Sequence, residues 1–309
     1  MQQILAALLL LGTIGAATRN GVPPVVPPSG YVSTHDVRLA YWRYGAPSNA
    51  TPVIAVNGGP GLSHIYMMQN DVWLRIARER EVVLYDQRGT GRSTTIRSGA
   101  SQSMAAQVAD LDALRAHLGF AKFDLVGDSF GGMIAIAYAA AHPEHVAKLV
   151  ISDGVPSWNG IVHLLPDVFP DVEANDAAAM KRLGENSDAA AQRSLRDHFR
   201  MIFYSPELRD RYLANAPNLG YTPAVGEAVG KATASLNLTS ALPKFRFPTL
   251  VINGRYDMNV APLTAWRMYN AIPGARIVFF EKSSHLPSYE EPDRYVNVLD
   301  DFFSEREQP

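Results

Sequence analysis

The sequence predicts an α/β fold: a mostly parallel sheet with helices on both faces and a helical cap inserted near its middle. Three observations predict it. Short apolar runs alternate with helical patterns from about residue 52 to 154, the texture of strands joined by crossover helices. That texture stops after Gly154, gives way to a stretch rich in alanine, charge and helical spacing, and resumes at Phe247. Between an apolar run and a long apolar helix pattern lies Gly127-Asp128-Ser129-Phe130-Gly131-Gly132, the strand–turn–helix setting of a nucleophile elbow.

The elements follow in order. Residues 31–44 are β-rich. Pro52-Val53-Ile54-Ala55-Val56 is a short apolar run of the kind buried on both faces of a parallel sheet. A helical pattern covers about 65–80, a strand 82–85 and a second helical pattern 104–118. Phe123-Asp124-Leu125-Val126 leads into the elbow, and the apolar pattern 133–141 out of it. Residues 147–152 form the next strand. No convincing strand falls within 155–242, which reads as the cap, so 31–154 and 243–309 form one core. Within the returning core, 248–252 and 275–280 are strands.

At 309 residues and 47% hydrophobic, the chain can bury one sizeable core with an insertion. A net charge of −2 gives no electrostatic case for nucleic acid. With no cysteine, a disulfide, a thiolate metal site and a cysteine nucleophile are all excluded. Met1-Gln2-Gln3, an apolar run over 4–11 and Gly12-Thr13-Ile14-Gly15-Ala16-Ala17 read as a signal peptide cleaved after Ala17, although no Lys or Arg precedes the run. The expectation is an exported chain, periplasmic or secreted, without stable membrane insertion after processing; if the leader is not real, the chain is cytoplasmic. Residues 18–30 are a proline-rich linker.

The elbow dictates a chemistry. A serine on a strained turn holds its hydroxyl above the sheet, and Gly127 and Gly131 let strand and helix pack closely. The helix that begins there points N–H groups at developing negative charge. A nucleophilic serine needs a base, and the base an orienting acid, here in the chain order Ser, Asp, His. Asn253-Gly254-Arg255-Tyr256-Asp257 leads off one late strand, and Glu281-Lys282-Ser283-Ser284-His285 off the next. Both lie where open α/β sheets place their sites. Ser129 is assigned as nucleophile, His285 as general base and acid, and Asp257 as orienting carboxylate. Asp153, at the end of another strand, is the rival acid. Asp128 reads as a pocket residue or a support behind it.

Asn57-Gly58-Gly59-Pro60-Gly61 follows a strand and suits a loop that stabilises an oxyanion. The expected donors are the N–H groups of Phe130 and Gly59, with Gly58 as second choice in the loop. No Gly-Lys-Ser/Thr ending makes it a phosphate loop, and no cofactor is implied. His142 and His145 imitate a metal spacing, but they flank Pro143 at a helix end and read as surface residues; no metal site is assigned. His64 could line the pocket or serve structure. Asp86-Gln87-Arg88-Gly89 reads as a buried network more than as a substrate site.

Asn57-Gly58-Gly59-Pro60-Gly61, Asp86-Gln87-Arg88-Gly89-Thr90-Gly91-Arg92-Ser93, the elbow, Gly254-Arg255-Tyr256-Asp257 and Ser283-Ser284-His285-Leu286 together resemble the proline iminopeptidase family of α/β-hydrolases. The likeness is greatest to the smaller branch that includes the tricorn-interacting aminopeptidase, and it runs from about Tyr31 to Phe303. One departure is Asn57, where the family carries His. The resemblance implies a serine aminopeptidase that releases N-terminal residues, often proline, from short peptides or aminoacyl amides. It also implies cap glutamates that bind the substrate's free amine, and by position these are Glu207 and Glu227. Two alternatives stay open: an esterase, lactonase or amidase acting on a small molecule, and a non-catalytic binding protein on the same fold.

Overall fold

The computed structural model describes residues 26–95, 99–159, 164–184, 188–216 and 219–305. The expected leader and most of the proline-rich linker lie outside the described residues. Where the linker's end is described, it is tied down: Trp42 Nε1 donates to the Val26 carbonyl at 2.9 Å, and Ser29 N to the Tyr41 carbonyl at 2.8 Å.

Among the described residues the sheet has nine strands: β1 (Gly30–Ser33), β2 (Val37–Tyr44), β3 (Val53–Val56), β4 (Val82–Tyr85), β5 (Thr94–Thr95), β6 (Phe123–Asp128), β7 (Val146–Ser152), β8 (Thr249–Gly254) and β9 (Arg276–Phe280). Their order is β1-β2-β4-β3-β6-β7-β8-β9, with β5 pairing β2. β1 and β2 form an antiparallel edge, and β4 through β9 along this path are parallel. β3, β4, β6, β7 and β8 are buried along their whole length, which is why they read as largely apolar runs; even Asp124 of β6 and Lys148 of β7 are buried. Their side chains still alternate between two cores. Ile54, Val56, Leu125, Leu149 and Ile151 face one, and Val53, Ala55, Val126, Val150 and Ile252 the other.

The helix Met104–Leu118 lies where the sequence places it, held by Ser103 at its N-terminus and Gly119 at its C-terminus. The pattern over 65–80 is not one helix. It divides into a 3₁₀ turn, His64–Met68, and a short helix, Val72–Ile76. The break falls at Asn70-Asp71, where the Asn70 side chain accepts from the Val72 N–H at 3.2 Å and competes with a continuous helix.

Between β7 and β8 the chain runs through helices Leu165–Val168, Pro170–Leu183, Asp188–Met201, Pro206–Asn215 and Pro223–Thr233. A bridge between Ser157 and Asn237 closes the neck of this insertion. It is pinned onto the loop after β3, with Ser63 N donating to Gly220 O at 3.1 Å and Thr222 N to Gly61 O at 2.8 Å. Among the described residues no helix is long and apolar enough to cross a membrane.

Candidate active site

Strand register alone brings the site together. Val56 pairs with Gly127, Asp128 with Ser152, and Ser152 with Ile252, so β3, β6, β7 and β8 end level with one another. The order of the sheet turns back at β3 and β6, the switch point where such sheets open a crevice. The loops after these strands carry the glycine cluster, Ser129, Asp153 and Asp257, and His285 follows β9.

Ser129 has φ 51° and ψ −118°, a region L-residues rarely adopt. The turn is held by its N–H donating to Ser152 O and by Gly132 N donating to Ser129 O, both at 2.9 Å. A Cβ on Gly127 would strike the backbone of Gly131, and one on Gly131 the backbone of Val56 and Asn57, so both glycines are needed for close approach. The helix Phe130–Ala141 starts immediately after the serine. The N–H of Phe130, as its first residue, has no carbonyl four residues back in the helix to bond.

Ser129 Oγ lies 3.0 Å from His285 Nε2, and His285 Nδ1 lies 2.7 Å from Asp257 Oδ2. Asp257 is fully buried and His285 is 4% exposed. Asp257 Oδ1 also accepts from Asn259 N at 2.9 Å and Val260 N at 2.8 Å, which fixes its carboxylate plane. A hydroxyl bonded to an imidazole that a buried carboxylate orients is the arrangement that activates an alcohol for attack. Burial works against an imidazolium here. The Asp257 charge and hydrogen bond outweigh it, with Asp153 and Asp128 adding to them, and push His285 up to about 9.

Asp153 stands beside this chain without occupying it. Its φ is 49°, and its Oδ1 accepts from Asn253 Nδ2 and Gly254 N, both at 2.9 Å. Ser152 Oγ donates to Oδ2 at 3.0 Å. Asn253 Nδ2 also reaches Asp257 Oδ2 at 3.2 Å, so one amide holds both carboxylates. Burial, then the charge of Asp257, hold the Asp153 carboxyl well above the usual range.

The glycine loop is braced by Asn57, whose Nδ2 donates to Gly58 O and Leu62 O at 2.9 Å each. Gly59 has φ 133° and lines the cavity with Ser129. Gly58 does not fit the role of spare oxyanion donor: its N–H is committed to Tyr66 Oη at 2.5 Å. Tyr66 in turn donates to Asp128 Oδ2. Tyr66 is a residue that sequence reasoning missed, and no local pattern marks it. Asn259 is another, lining the cavity with its Nδ2 3.2 Å from His285 Nε2. Its signal was the Asp257-Met258-Asn259-Val260 turn.

The cavity above Ser129 is about 460 Å³, closed over by Leu195, Phe199, Ile202 and Tyr221 of the insertion. Glu207 and Glu227 are not among its walls, contrary to the sequence expectation. Their side chains are 81% and 67% exposed, and each pairs along its own helix, with Arg211 and Lys231 respectively. Pairing in water one turn away satisfies both, and the face of Pro223–Thr233 that reaches the cavity is Gly226 instead.

The remaining candidates have structural partners. His64 Nδ1 lies 2.8 Å from Asp86 Oδ1, and its ring packs on Trp42. Arg88 is buried and bonded to both oxygens of Asp110 at 2.8 Å, so this segment holds loops together. His142 and His145 lie near Asp112, but Asp112 Oδ1 is already taken by Arg115 Nε at 2.7 Å and Tyr138 Oη at 3.0 Å.

A sequence-family model described as the alpha/beta hydrolase fold matches residues 51–292. The proline iminopeptidase of Lactobacillus delbrueckii subsp. bulgaricus is 30% identical over 274 residues, covering 84% of this chain and 91% of the relative. That of Lactiplantibacillus plantarum is 31% identical over 265 residues, covering 82% and 91%. Among solved structures, the esterase RhEst1 from Rhodococcus sp. ECU1013 superposes with a TM-score of 0.74 at 21% identity, covering 90% of this chain and 99% of that one. The enol-lactonase from Burkholderia xenovorans LB400 gives 0.70 at 22%, covering 89% and 100%. At such identities the structures speak for the fold alone. The family match and the two iminopeptidases, spanning most of the chain, carry the assignment: this chain belongs to the α/β-hydrolase family and is a relative of its proline iminopeptidases.

Proposed function

We propose that this chain is a serine aminopeptidase of the prolyl type, which removes N-terminal residues from short peptides or aminoacyl amides through an acyl-enzyme. One observation carries the chemistry: Ser129 Oγ bonded to His285 Nε2 at 3.0 Å on the floor of a capped cavity. The substrate class is supported by the proline iminopeptidase relatives.

In this reading His285 takes the Ser129 proton as Oγ attacks the scissile carbonyl carbon. The resulting oxyanion is met by the N–H groups of Phe130 and Gly59. Asp257 keeps the proton on Nδ1, so that Nε2 is the free base, and stabilises the imidazolium that forms. The C–N bond then breaks as His285 returns the proton to the leaving amine. A water, deprotonated by the same Nε2, attacks the ester, and Ser129 recovers its proton as the free amino acid departs.

The esterase, lactonase or amidase reading has one observation in its favour: the cap glutamates expected to hold an amine face solvent. Substrates separate the two. kcat/KM is compared for prolyl p-nitroanilide, its N-acetyl form and p-nitrophenyl acetate. The aminopeptidase reading expects the free-amine anilide to exceed the blocked one at least tenfold. Equal efficiency on both would overturn it and promote the esterase.

A further inference from the structure

An aminopeptidase must recognise a cation close to its nucleophile. The amine nitrogen of an aminoacyl group lies two bonds from the carbonyl carbon, about 2.5 Å away. Its partner must therefore sit beside Ser129, within the floor of the cavity, and not at the far side of the cap. Among the described residues that line the cavity, one is a carboxylate, and it is Asp128, the serine's own neighbour in the chain.

Asp128 is 5% exposed. Its Oδ2 accepts from Tyr66 Oη, and its Oδ1 carries no protein hydrogen bond among the described residues. Tyr66 Oη and Ser129 Cβ both lie within 2.8 Å of the point where a Cβ on Gly58 would stand, so the Tyr66–Asp128 pair is packed against the nucleophile. The buried phenols of Tyr66, Tyr212 and Tyr295 all feel the Asp128 charge, and all are neutral groups. No lysine or arginine among the described residues pairs with it; the group of variable charge that acts on it is His285. Burial pushes the Asp128 carboxyl up to about 6, and once His285 is in its reactive base form no cation of the described residues stands against it.

A buried carboxylate with no cation is costly. Beside an oxyanion hole it is also harmful, because it repels the charge that develops on attack. A cationic ligand removes both penalties at once. We propose that Asp128 reads the substrate's free amine, pairing its carboxylate with the α-ammonium of the N-terminal residue. The inference rests on the aminopeptidase reading and supplies the amine partner that Glu207 and Glu227 do not. It also makes selectivity part of the chemistry: a blocked or neutral acyl group leaves the Asp128 charge facing the oxyanion, and an unblocked one neutralises it. A proline ring nitrogen, with two N–H donors when protonated, can reach Oδ1 and still leave Tyr66 on Oδ2.

The test compares Asp128→Asn with wild type on prolyl p-nitroanilide, N-acetylprolyl p-nitroanilide and p-nitrophenyl acetate. Asparagine keeps an oxygen for Tyr66 and removes the charge. Losing a charge-assisted contact should lower kcat/KM on the free-amine substrate roughly tenfold to hundredfold more than on the acetate ester. The preference for free over blocked amine should collapse. A variant that loses activity equally on every substrate, with the preference intact, would show that Asp128 only supports Tyr66, and would overturn the inference while sparing the aminopeptidase reading. A wild-type protein without preference would sink the reading itself, and the inference with it. A second measurement needs no variant: pyrrolidine and tetrahydrofuran, equal in ring size, are compared as competitive inhibitors of ester hydrolysis by wild type. The cation should inhibit at least tenfold more strongly, and equal inhibition would refute a cation site on the cavity floor.

Discussion

Replacing each of the two neighbouring carboxylates by its amide separates the orienting acid from its rival. In Asp257→Asn the side-chain oxygen keeps the Asn259 and Val260 N–H groups, so the new NH₂ faces His285 Nδ1. Nδ1 must then accept, which forces the ring proton onto Nε2. Nε2–H points at Ser129 Oγ and cannot take its proton. The wrong tautomer costs on the order of 10⁴ in kcat, or about 5.4 kcal/mol of barrier. In Asp153→Asn the oxygen keeps both Asn253 Nδ2 and Gly254 N, and the new NH₂ can donate to Ser152 Oγ. Every contact survives, and the group replaced is a carboxyl that burial already disfavours in its charged form. The expected loss is less than about tenfold, under ~1.4 kcal/mol. The assay is kcat/KM on p-nitrophenyl acetate, which needs no amine recognition, with melting curves to confirm that both variants fold. Asp153→Asn falling as far as Asp257→Asn, or Asp257→Asn keeping a tenth of wild-type rate, would refute the assignment of Asp257 as the acid that orients His285.

Two further outcomes are expected. The base form of His285 is the active one, and its pKa is raised, so activity should appear only as pH climbs above the ordinary His value of about 6.5. For the acetate ester, the acidic limb of kcat/KM should be displaced upward toward about 9, and Asp128→Asn should move it down by removing a negative charge that raises His285; a limb at or below 6.5 in wild type would contradict this. Glu207→Gln and Glu227→Gln should each leave the ratio of free-amine to blocked-amine kcat/KM unchanged and the urea midpoint close to wild type, because each removes only a solvent-screened i,i+4 pair.

The parts of this protein legible in the sequence are those whose geometry is set within a few residues. The elbow is written in glycines that the backbone of Val56 and Gly131 requires, and the central strands in apolar runs buried on both faces. Asp257 and His285 were legible because each follows a strand, and strand ends meet at one edge of a parallel sheet. The cap was legible as an insertion but not in its orientation. Which helix face meets the cavity depends on how Asp188–Met201 and Pro223–Thr233 pack over Ser129, and no local pattern fixes that. Glu227 is one residue from the cavity-lining Gly226, yet points to Lys231 and water. The i,i+4 spacing of Glu207 with Arg211 and of Glu227 with Lys231 was a readable sign of a solvated face. Asp128 was visible beside the serine, but only the structure shows that Tyr66 from a distant turn takes one of its oxygens and that Asp128 lines the cavity.

The central claim is that Ser129 Oγ is the atom that attacks. An active-site-directed fluorophosphonate captures a serine activated by a neighbouring imidazole, and peptide mapping by mass spectrometry locates the adduct. The account predicts one phosphonyl group on the peptide that contains Ser129 in the wild-type protein, and none in Ser129→Ala or in His285→Ala. An adduct on any other residue, or turnover by a folded Ser129→Ala protein at near wild-type rate, would contradict it.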